Sequence, residues 1–322
     1  MGRAGRTISE IGFGAWQIGG DWGAVDEGAA MATLHAAADA GVTFFDTADV
    51  YGDGRSERLL GRLLAERPDA GITVATKMGR RAEQTVESYS PGHLRAWNDR
   101  SRENLGVETL DLVQLHCPPT DLYYEQEVFE DLAAMAAEGR FAAYGVSVER
   151  VEEGLKAIEY AGVASVQIIF NAFRQRPASR FLDEARRRGV AVVVRVPLAS
   201  GLLSGRYTRE TRFAADDHRN YNRQGEAFDV GETFAGVPFD VGLDAVEELG
   251  PLVRDGETLA QLSLRWILMH DGVTTVIPGA RSPAQALANA ASSGGPVLEP
   301  AMMERFASVY RERIAPYVHQ RW

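Results

Sequence analysis

The sequence predicts one parallel α/β barrel, a (β/α)8 fold, over residues 1–322. Three observations support this prediction. The chain has 322 residues, which is a usual length for a single barrel domain. Short apolar runs alternate along it with amphipathic helical segments, and such alternation is typical of βαβ units with parallel strands. The apolar runs are also nearly continuous, as expected for strands that are buried on both faces.

Seven apolar runs are predicted to be strands because they are rich in β-branched and aromatic residues. They are Val42–Thr47, Ile72–Lys77, Leu110–His116, Ala143–Ser147, Ser165–Asn171, Val190–Pro197 and Val273–Pro278. The predicted helices are Gly28–Ala40, Ser56–Arg67, Pro91–Leu105, Glu125–Glu138, Val151–Ala161, Ala178–Arg188 and Leu259–His270. A closed barrel needs an eighth strand, and the stretch Ala288–Ser292 is assigned to it by that assumption alone.

Two segments depart from the alternation of strands and helices. The N-terminal segment up to Gly23 is rich in glycine and is predicted to form a hairpin before the barrel. The segment Gly205–Gly242 is polar and too long for an ordinary connection between a strand and a helix, so it is predicted to be a functional loop or lid. A disordered excursion is the alternative for this second segment.

Composition and pattern exclude several classes of protein. The formal net charge of −11 is unsuited to nonspecific nucleic-acid binding, which needs positive charge against phosphates. No apolar run approaches the ~20 residues that cross a membrane, and no secretory signal pattern is visible. The single cysteine, Cys117, excludes an internal disulfide and fits a cytoplasmic protein. No His-x-His or clustered carboxylate ligand set is visible, which argues against a metal-dependent barrel hydrolase.

Lysine is rare in this chain, so each lysine is informative. Of the 34 Lys and Arg residues, two are lysines, Lys77 and Lys156. An ammonium group can shift its pKa and act as a compact point charge, whereas a guanidinium group stays protonated and planar. Lys156 lies in a helical pattern and is interpreted as a surface residue. Lys77 ends a predicted strand and is therefore a candidate for chemistry.

Ionisable residues end three consecutive predicted strands. Asp46 lies on the first with Tyr51 just beyond it, Lys77 ends the second, and His116 ends the third. Active sites of parallel barrels lie at the carboxyl ends of the strands, so all four side chains are expected on one rim. Each residue alone has an ordinary structural interpretation, such as capping or packing, but their shared position favours catalysis.

The four side chains have complementary acid–base chemistry. A tyrosine has an ordinary pKa near ~10, and a neighbouring ammonium is expected to lower it, so that Tyr51 acts as a general acid and base. Asp46 is expected to hold Lys77 through a charge-assisted hydrogen bond. His116 is expected to donate a hydrogen bond to a substrate oxygen. The pattern predicts protonation of an oxygen during hydride transfer rather than acyl transfer.

These residues resemble the signature of the aldo-keto reductase superfamily. The stretch GVTFFDTADVYGDGRSERLLG carries the resemblance, which continues through GFGAWQIGG, VATKMG, DLVQLH, YGVSV, QIIFNAF, VPLASGLLSGRY and VIPGARSPAQALANA. It covers nearly the whole chain and implies a bacterial-type, NADP-dependent reductase of aldehydes or ketones on a TIM barrel. It also implies a catalytic tetrad of Asp46, Tyr51, Lys77 and His116, with Tyr51 as the proton donor.

The resemblance implies an NADP(H) site on the barrel rim. The glycine-rich segment GFGAWQIGG is not a dinucleotide-binding fingerprint, because it lacks the required spacing and context. Ser147 and Gln167 resemble the pair that orients the nicotinamide amide. Arg281, near a predicted helix start, is expected to bind the 2′-phosphate, which favours NADP over NAD. The residues that match the family's cofactor site are Ser147, Gln167, Arg195, Pro197, Leu198, Ser200, Gly201, Arg206, Gly279, Arg281, Gln285 and Asn289.

Arg195 stands where many relatives carry an aromatic residue that stacks on the nicotinamide. Its guanidinium is expected to stack on that ring or to contact an anionic substrate group, and a salt bridge within the barrel is the alternative. The substrate pocket is expected above Tyr51, with Trp16 and Trp22 in its wall, although core packing fits Trp16 equally well. The motifs do not identify the substrate or the oligomeric state.

Two other functions fit the same motifs. Some chains that resemble this family act as NADP(H)-sensing subunits of larger assemblies, such as potassium-channel β subunits. The proton relay also works in the oxidative direction, as in a sugar or alcohol dehydrogenase. All four tetrad positions are present, which favours an enzyme acting on a small carbonyl or alcohol, with neither a nucleic acid nor a membrane as its partner.

Overall fold

The computed structural model describes residues 2–20 and 26–322. Eight parallel strands follow one another around a barrel in chain order. They are β1 Phe13–Gly14, β2 Phe44–Asp46, β3 Thr73–Met78, β4 Leu112–His116, β5 Tyr144–Ser147, β6 Val163–Ile169, β7 Ala191–Arg195 and β8 Thr275–Val276. Bridges from Ile11 to Val276 and from Gly14 to Gly279 join the two ends of the sheet and close the barrel.

The helices lie outside the strands and pack on them and on one another. In the described part of the chain they are α1 Trp16–Gly19, α2 Glu27–Asp39, α3 Arg55–Glu66, α4 Pro91–Leu105, α5 Gln126–Ala137, α6 Val151–Ala157, α7 Phe181–Arg187, α8 His218–Tyr221, α9 Phe239–Leu249, α10 Leu259–Leu268, α11 Pro283–Ala290, α12 Pro300–Val309 and α13 Ala315–Val318. Among these helices, none has the length and apolar character needed to span a bilayer.

The seven predicted strands are confirmed with shifted ends, but two predictions about the remaining strand are wrong. Ala288–Ser292 is not a strand, since Ala288 to Ala290 end α11. The missing strand is β1, in the N-terminal segment where a hairpin was expected, and it pairs in parallel with β2. A Cβ on Gly14 would lie 2.8 Å from the backbone oxygen of Ile277. Glycine is therefore needed for close approach here, and glycine is also what weakens the local strand signal.

The barrel interior changes from apolar to polar along the strands. A compact apolar cluster fills the interior, and it consists of Phe44, Ala75, Leu112, Ala143, Ala164, Val193 and Ile277. Residues two apart on a strand face the same side, so Asp46 follows Phe44 and Lys77 follows Ala75 on the inner face. The strands thereby direct these polar side chains into the barrel at its carboxyl end.

Residues 205–242 form an ordered cover over this carboxyl end and not a disordered excursion. The segment contains α8 and two short 3-10 turns, Val230–Glu232 and Phe234–Gly236. Glu232 and Phe234 are buried, at 6% and 3% exposure. Phe234 packs on Phe213 and Phe239, with ring centroids 5.7 and 5.0 Å away. The apolar contacts explain why a polar stretch of sequence is held on the rim.

Candidate active site

The four predicted catalytic residues meet at the carboxyl rim of the barrel. Asp46 ends β2, Lys77 is the fifth of six residues in β3, and His116 ends β4. Tyr51 lies in the loop after β2, where its backbone N–H donates to Ala48 O. Lys77 Nζ donates to Asp46 Oδ2 at 2.6 Å and lies 3.5 Å from Tyr51 Oη. The distances support the predicted role of Asp46 as the partner that holds Lys77.

Burial sets the protonation state of Tyr51. Its pKa is raised well above the usual value, first by burial and then by the charges of Asp46 and Glu232. The prediction that Lys77 gives a net lowering of this pKa is therefore wrong. Lys77 is paired with Asp46, whose charge is one of those that raise the pKa of Tyr51, and burial lowers the pKa of the ammonium itself. A neutral phenol is the form that can donate a proton at neutral pH.

His116 is held as a neutral imidazole. Burial, followed by the positive charges of Arg80 and Lys77, lowers its pKa well below the usual value. Its ring stands edge-on to the Tyr51 ring, with centroids 5.8 Å apart. Nδ1 has no hydrogen-bond partner among the described residues. A neutral imidazole carries one N–H, so this geometry supports a hydrogen bond to a substrate oxygen near Tyr51.

Gln167 and Ser147 lie next to the tetrad. Gln167 Nε2 donates to Asp46 Oδ1 at 2.7 Å, so the amide is oriented by the carboxylate. Ser147 Oγ lies 3.5 Å from Gln167 Oε1 and is fully buried. The two residues are adjacent, as the prediction that they act as a pair requires.

A cavity of about 440 Å³ runs along the rim from the tetrad to the start of α11. Ser147, the remaining predicted cofactor residue, is not among the residues that line it. The lining residues that the sequence analysis missed include Gln17, Arg219, Thr258 and Gln261. The predicted cofactor residues that line it are Gln167, Arg195, Pro197, Leu198, Ser200, Gly201, Arg206, Gly279, Arg281, Gln285 and Asn289.

The loop after β7 has an unusual backbone where it borders this cavity. Val196, Ala199 and Ser200 have positive φ angles of 51°, 47° and 52°, and Gly201 has φ 97°. Non-glycine residues seldom adopt this conformation, and strain of this kind concentrates at functional sites. A Cβ on Gly201 would lie 2.3 Å from Tyr207 Oη, so glycine is required by both space and conformation.

The far end of the cavity is built from the turn before α11. Gln285 Oε1 accepts from the backbone N–H of Arg281 at 2.8 Å, and Asn289 Nδ2 donates to Gly279 O at 3.2 Å. Ser282 caps the helix by accepting from Gln285 N–H. Gln285 and Asn289 therefore shape the backbone of the turn, and the Arg281 side chain is exposed beside it.

Arg195 forms salt bridges within the barrel, which was the alternative interpretation of this residue. Its Nη2 lies 2.8 Å from Glu149 Oε2, and its Nη1 lies 3.7 Å from Glu232 Oε2. Nη2 also donates to Val148 O at 3.1 Å. With its guanidinium committed to two carboxylates, Arg195 borders the cavity as a wall and not as a stacking platform.

A second cavity of about 460 Å³ opens on the other side of Tyr51. Trp16, Tyr51 and Glu232 border both cavities. The Trp16 ring stacks on Tyr51 at 5.9 Å and lies 4.9 Å from His218. Trp16 is thus in the pocket wall, as one of its two interpretations expected. Trp22, the other predicted wall residue, lies outside the described residues.

Four charged residues of the second cavity were not found from the sequence: Arg80, Glu149, Asp229 and Glu232. Arg80 and Glu149 follow the carboxyl ends of β3 and β5, so the rule that identified Lys77 and His116 also points to them. Glu232 lies in the long cover, where no local sequence pattern marks it as a residue of the site. Arg80 Nη2 lies 2.7 Å from Glu232 Oε1 and 3.3 Å from Glu149 Oε1. These contacts tie the cover to the barrel.

Asp49, two residues before Tyr51, gives a prediction about pH. Its side chain is fully buried, neither oxygen has a hydrogen-bond partner among the described residues, and burial and then Glu57 raise its pKa to about 7. The folded protein thus keeps this proton up to about pH 7, whereas the unfolded chain releases it near pH ~4. The contribution to stability therefore falls as pH rises from about 4 to about 7 and is constant above.

Replacing Asp49 with asparagine is expected to remove this part of the pH dependence. Between pH 5 and pH 8, a range that spans the folded-state pKa of about 7, the Tm of the wild-type protein should fall by several degrees more than that of Asp49→Asn. Thermal unfolding followed by circular dichroism at a series of pH values measures both. Parallel curves for the two proteins would mean that Asp49 has an ordinary pKa.

Comparison with known proteins agrees with the geometry. The model of the aldo/keto reductase family matches residues 10–311. Aldo-keto reductase YhdN of Bacillus subtilis is 30% identical over 287 residues, covering 87% of this chain and 84% of the relative. A protein of Oryza sativa named as a probable voltage-gated potassium channel subunit beta is 27% identical over 97% of this chain and 96% of its own. The NADH-specific methylglyoxal reductase of Escherichia coli is 26% identical over 91% and 92%.

Solved structures share the same barrel. The glycerol dehydrogenase of Gluconobacter oxydans superimposes with a TM-score of 0.76 at 28% identity, covering 99% of this chain and 95% of its own. An aldo/keto reductase of Klebsiella pneumoniae, solved with NADP and acetate, has the same fold, with a TM-score of 0.69 at 22% identity and 94% and 92% coverage. The match of the family model across the barrel shows that the chain is an oxidoreductase of the aldo/keto reductase family.

Proposed function

We propose that the protein reduces an aldehyde or ketone to an alcohol with NADPH, and that Tyr51 is the proton donor. The observation that carries this proposal is the position of Tyr51. Its ring borders both the long cavity and the second cavity, and its hydroxyl lies 3.5 Å from Lys77 Nζ. A cofactor in the first cavity and a carbonyl in the second would meet at this hydroxyl.

The long cavity fits an anionic dinucleotide. Arg206, Arg219 and Arg281 line it, and guanidinium groups match phosphates in charge and geometry. The backbone of the loop after β7 is fixed by Gly201 and its strained neighbours beside the same cavity. Gln167 is the candidate to bind the nicotinamide amide, since it lines the cavity next to Asp46.

The residues divide the chemistry among them. When bound, NADPH supplies a hydride to the carbonyl carbon. Tyr51 Oη donates its proton to the carbonyl oxygen, and His116 donates a hydrogen bond to that same oxygen and orients it. Asp46 holds Lys77 against Tyr51, so that positive charge is close when the phenolate forms. Asp46, Lys77 and His116 are buried, which strengthens their electrostatic contacts.

Two of the similar proteins support alternative functions, namely the oxidative direction and a sensing role. The glycerol dehydrogenase neighbour supports the oxidative direction, for which Tyr51 would accept the proton that it donates in reduction. The channel-subunit relative supports a sensing role, in which NADPH binds but turns over slowly. The complete tetrad with its short Lys77–Asp46 contact favours the enzyme over the sensor.

In the test, the purified protein is titrated with NADPH, and binding is measured by fluorescence. A carbonyl compound is then added. Tight binding and loss of NADPH absorbance on adding the carbonyl are expected. The same assay with NADP⁺ and an alcohol measures the reverse direction. Tight binding without turnover in either direction would favour the sensing role, and no binding at all would contradict the cofactor site.

Arg281 is proposed to select NADPH over NADH. NADP is present in the solved Klebsiella neighbour, whereas the Escherichia coli relative is NADH-specific, so the choice depends on this chain's own residues. Arg281→Ala is expected to raise the Kd of NADPH by roughly 10–100-fold, because a hydrogen bond between charged groups is lost, and to leave that of NADH nearly unchanged.

Arg206→Ala is the matched comparison, since Arg206 is another exposed arginine of the same cavity. Its loss should weaken NADPH and NADH by similar factors if it contacts the pyrophosphate. Fluorescence titrations of both cofactors with both variants measure the four changes. Equal weakening of both cofactors by Arg281→Ala would show that this residue does not bind the 2′-phosphate.

A further inference from the structure

Glu232 lies where the two cavities meet. Among the described residues, Trp16, Tyr51 and Glu232 line both the long cavity and the second cavity. The proposed function places the cofactor in the first and the carbonyl in the second, so the carbon atoms that exchange the hydride must face each other at this junction. Glu232 therefore stands at the place of reaction, although it comes from the cover and not from a strand of the barrel.

The cover holds Glu232 at the junction through its backbone. Ser200, in the loop after β7, donates from its hydroxyl to Glu232 O at 3.1 Å and accepts from the backbone N–H of Phe234 at 3.1 Å. Asp229, three residues before Glu232, accepts from Trp322 Nε1 at 3.0 Å. The carboxylate is thus presented to both cavities from a segment that is tied down on either side of it.

The carboxylate of Glu232 faces two guanidinium groups. It lies 2.7 Å from Arg80 Nη2 and 3.7 Å from Arg195 Nη1. Glu149 contacts the same two groups, at 3.3 Å from Arg80 and 2.8 Å from Arg195. Two cations and two anions therefore form a closed ring of ion pairs. Loss of one carboxylate charge would leave this ring with a net positive charge.

Glu232 is the permanent anion of this ring. Burial opposes its ionisation, but the charges of Arg80 and Arg195 outweigh that effect and lower the pKa of Glu232 to about 2. Burial raises the pKa of Glu149 to about 7, so Glu149 is partly protonated at neutral pH. Well above pH 7, both carboxylates are ionised and together compensate the two guanidinium groups.

The other carboxylate that lines the long cavity is already neutralised. Asp46 pairs with Lys77 at 2.6 Å. On the side of the second cavity, burial keeps His116 neutral by lowering its pKa. Arg195 also lines the long cavity. Among the described residues beside the junction, Arg195 is therefore the cation of the cofactor cavity that Glu232 compensates.

The two forms of the cofactor differ in charge at the ring that reacts. The nicotinamide ring is neutral in NADPH and positively charged in NADP⁺, whereas the phosphates are the same in both. A fixed negative charge at the junction therefore stabilises NADP⁺ relative to NADPH. In the reduction, the hydride moves with its electron pair to the carbonyl carbon, and Tyr51 supplies the proton. Glu232 then balances the positive charge that develops on the cofactor side.

We propose that Glu232 determines which redox state of the cofactor the protein prefers: its carboxylate compensates Arg195 at the junction of the two cavities and so supports the binding of NADP⁺. This inference rests on the proposed function, which places the nicotinamide at the junction. It adds to that function a role for a residue of the cover, which acts through its charge and its position.

The test compares the dissociation constants of NADP⁺ and NADPH for the wild-type protein and Glu232→Gln, measured by isothermal titration calorimetry without substrate. A pH of about 8.5 keeps Glu149 ionised, since its pKa is about 7. In the variant, the ratio of the NADP⁺ constant to the NADPH constant is expected to rise by about tenfold, because an uncompensated guanidinium charge then faces the cationic ring. That change makes the midpoint potential of the bound cofactor more positive by about 30 mV.

Two further variants separate the charge of Glu232 from its place in the structure. Glu232→Asp keeps the charge, so its ratio should stay within about threefold of wild type even if both constants rise. Glu226→Gln removes an exposed carboxylate of the same cover that is not among the lining residues of either cavity, and its ratio should equal that of wild type.

The outcomes distinguish this inference from the proposed function. An unchanged ratio in Glu232→Gln, equal weakening or loss of both cofactors in that variant, or a similar change of ratio in Glu226→Gln would overturn the role of Glu232 and leave the reductase function intact. If the wild-type protein bound neither form of the cofactor, the proposed function would be contradicted, and this inference with it.

Discussion

Replacing Tyr51 with phenylalanine is expected to lower kcat for carbonyl reduction by about 10²–10⁴-fold, the usual contribution of a positioned general acid. The change removes the Tyr51 hydroxyl, which lies 3.5 Å from Lys77 Nζ, from a residue that lines both cavities. The ring remains, so its stacking on Trp16 at 5.9 Å is preserved. Binding of NADPH should therefore change by less than about threefold, because the lost hydroxyl belongs to the chemistry and not to the cofactor's charged groups.

Steady-state turnover and NADPH fluorescence titrations measure the two expectations separately. Tyr124→Phe serves as the control, since Tyr124 is 65% exposed and lies in the segment before α5. That variant should keep wild-type turnover. If Tyr51→Phe retained wild-type kcat, the tetrad assignment would be wrong. If it lost NADPH binding as well, Tyr51 would have to be assigned to the cofactor site.

Replacing Lys77 with methionine is expected to abolish turnover and to destabilise the fold by about 3–5 kcal/mol, the usual cost of removing one partner of a buried ion pair. Asp46 and Lys77 are 3% and 1% exposed, and their side chains meet at 2.6 Å. Without the ammonium, Asp46 would be left buried with Gln167 as its remaining hydrogen-bond donor among the contacts described here. Urea unfolding measures the change in free energy.

The chain's other lysine provides the matched control. Lys156 pairs with Glu159 at 2.7 Å on the surface, and Lys156→Met should cost less than about 1 kcal/mol because exposed ion pairs contribute little. The double variant Asp46→Leu with Lys77→Met should recover much of the stability, since the uncompensated charge is gone, but none of the activity. Equal destabilisation by the two lysine variants would show that the buried pair is not a special feature of this fold.

Much of the site follows from local sequence. The alternation of apolar strands with amphipathic helices predicts a parallel barrel, and parallel barrels place the ends of their strands on one rim. Asp46, Lys77 and His116 can therefore be brought together without knowing any distance. Each is the last or nearly the last residue of a strand with a clear apolar run. An error of one or two residues in the predicted end of a strand therefore does not change the prediction that the three side chains share one rim.

The remaining features depend on contacts between distant segments. β1 forms a strand because it pairs with the segments on both sides of it, although glycine within it weakens the local preference for a strand. Arg195 becomes a wall residue because Glu149 and Glu232, from other parts of the chain, approach it within 4 Å. The pKa of Tyr51 rises because burial and the charges of Asp46 and Glu232 outweigh the opposing charges of Arg80 and Arg195. Sequence alone thus determined the barrel and which side chains reach its rim, whereas tertiary packing decided their charges and partners, because burial and long-range ion pairs have no local signal.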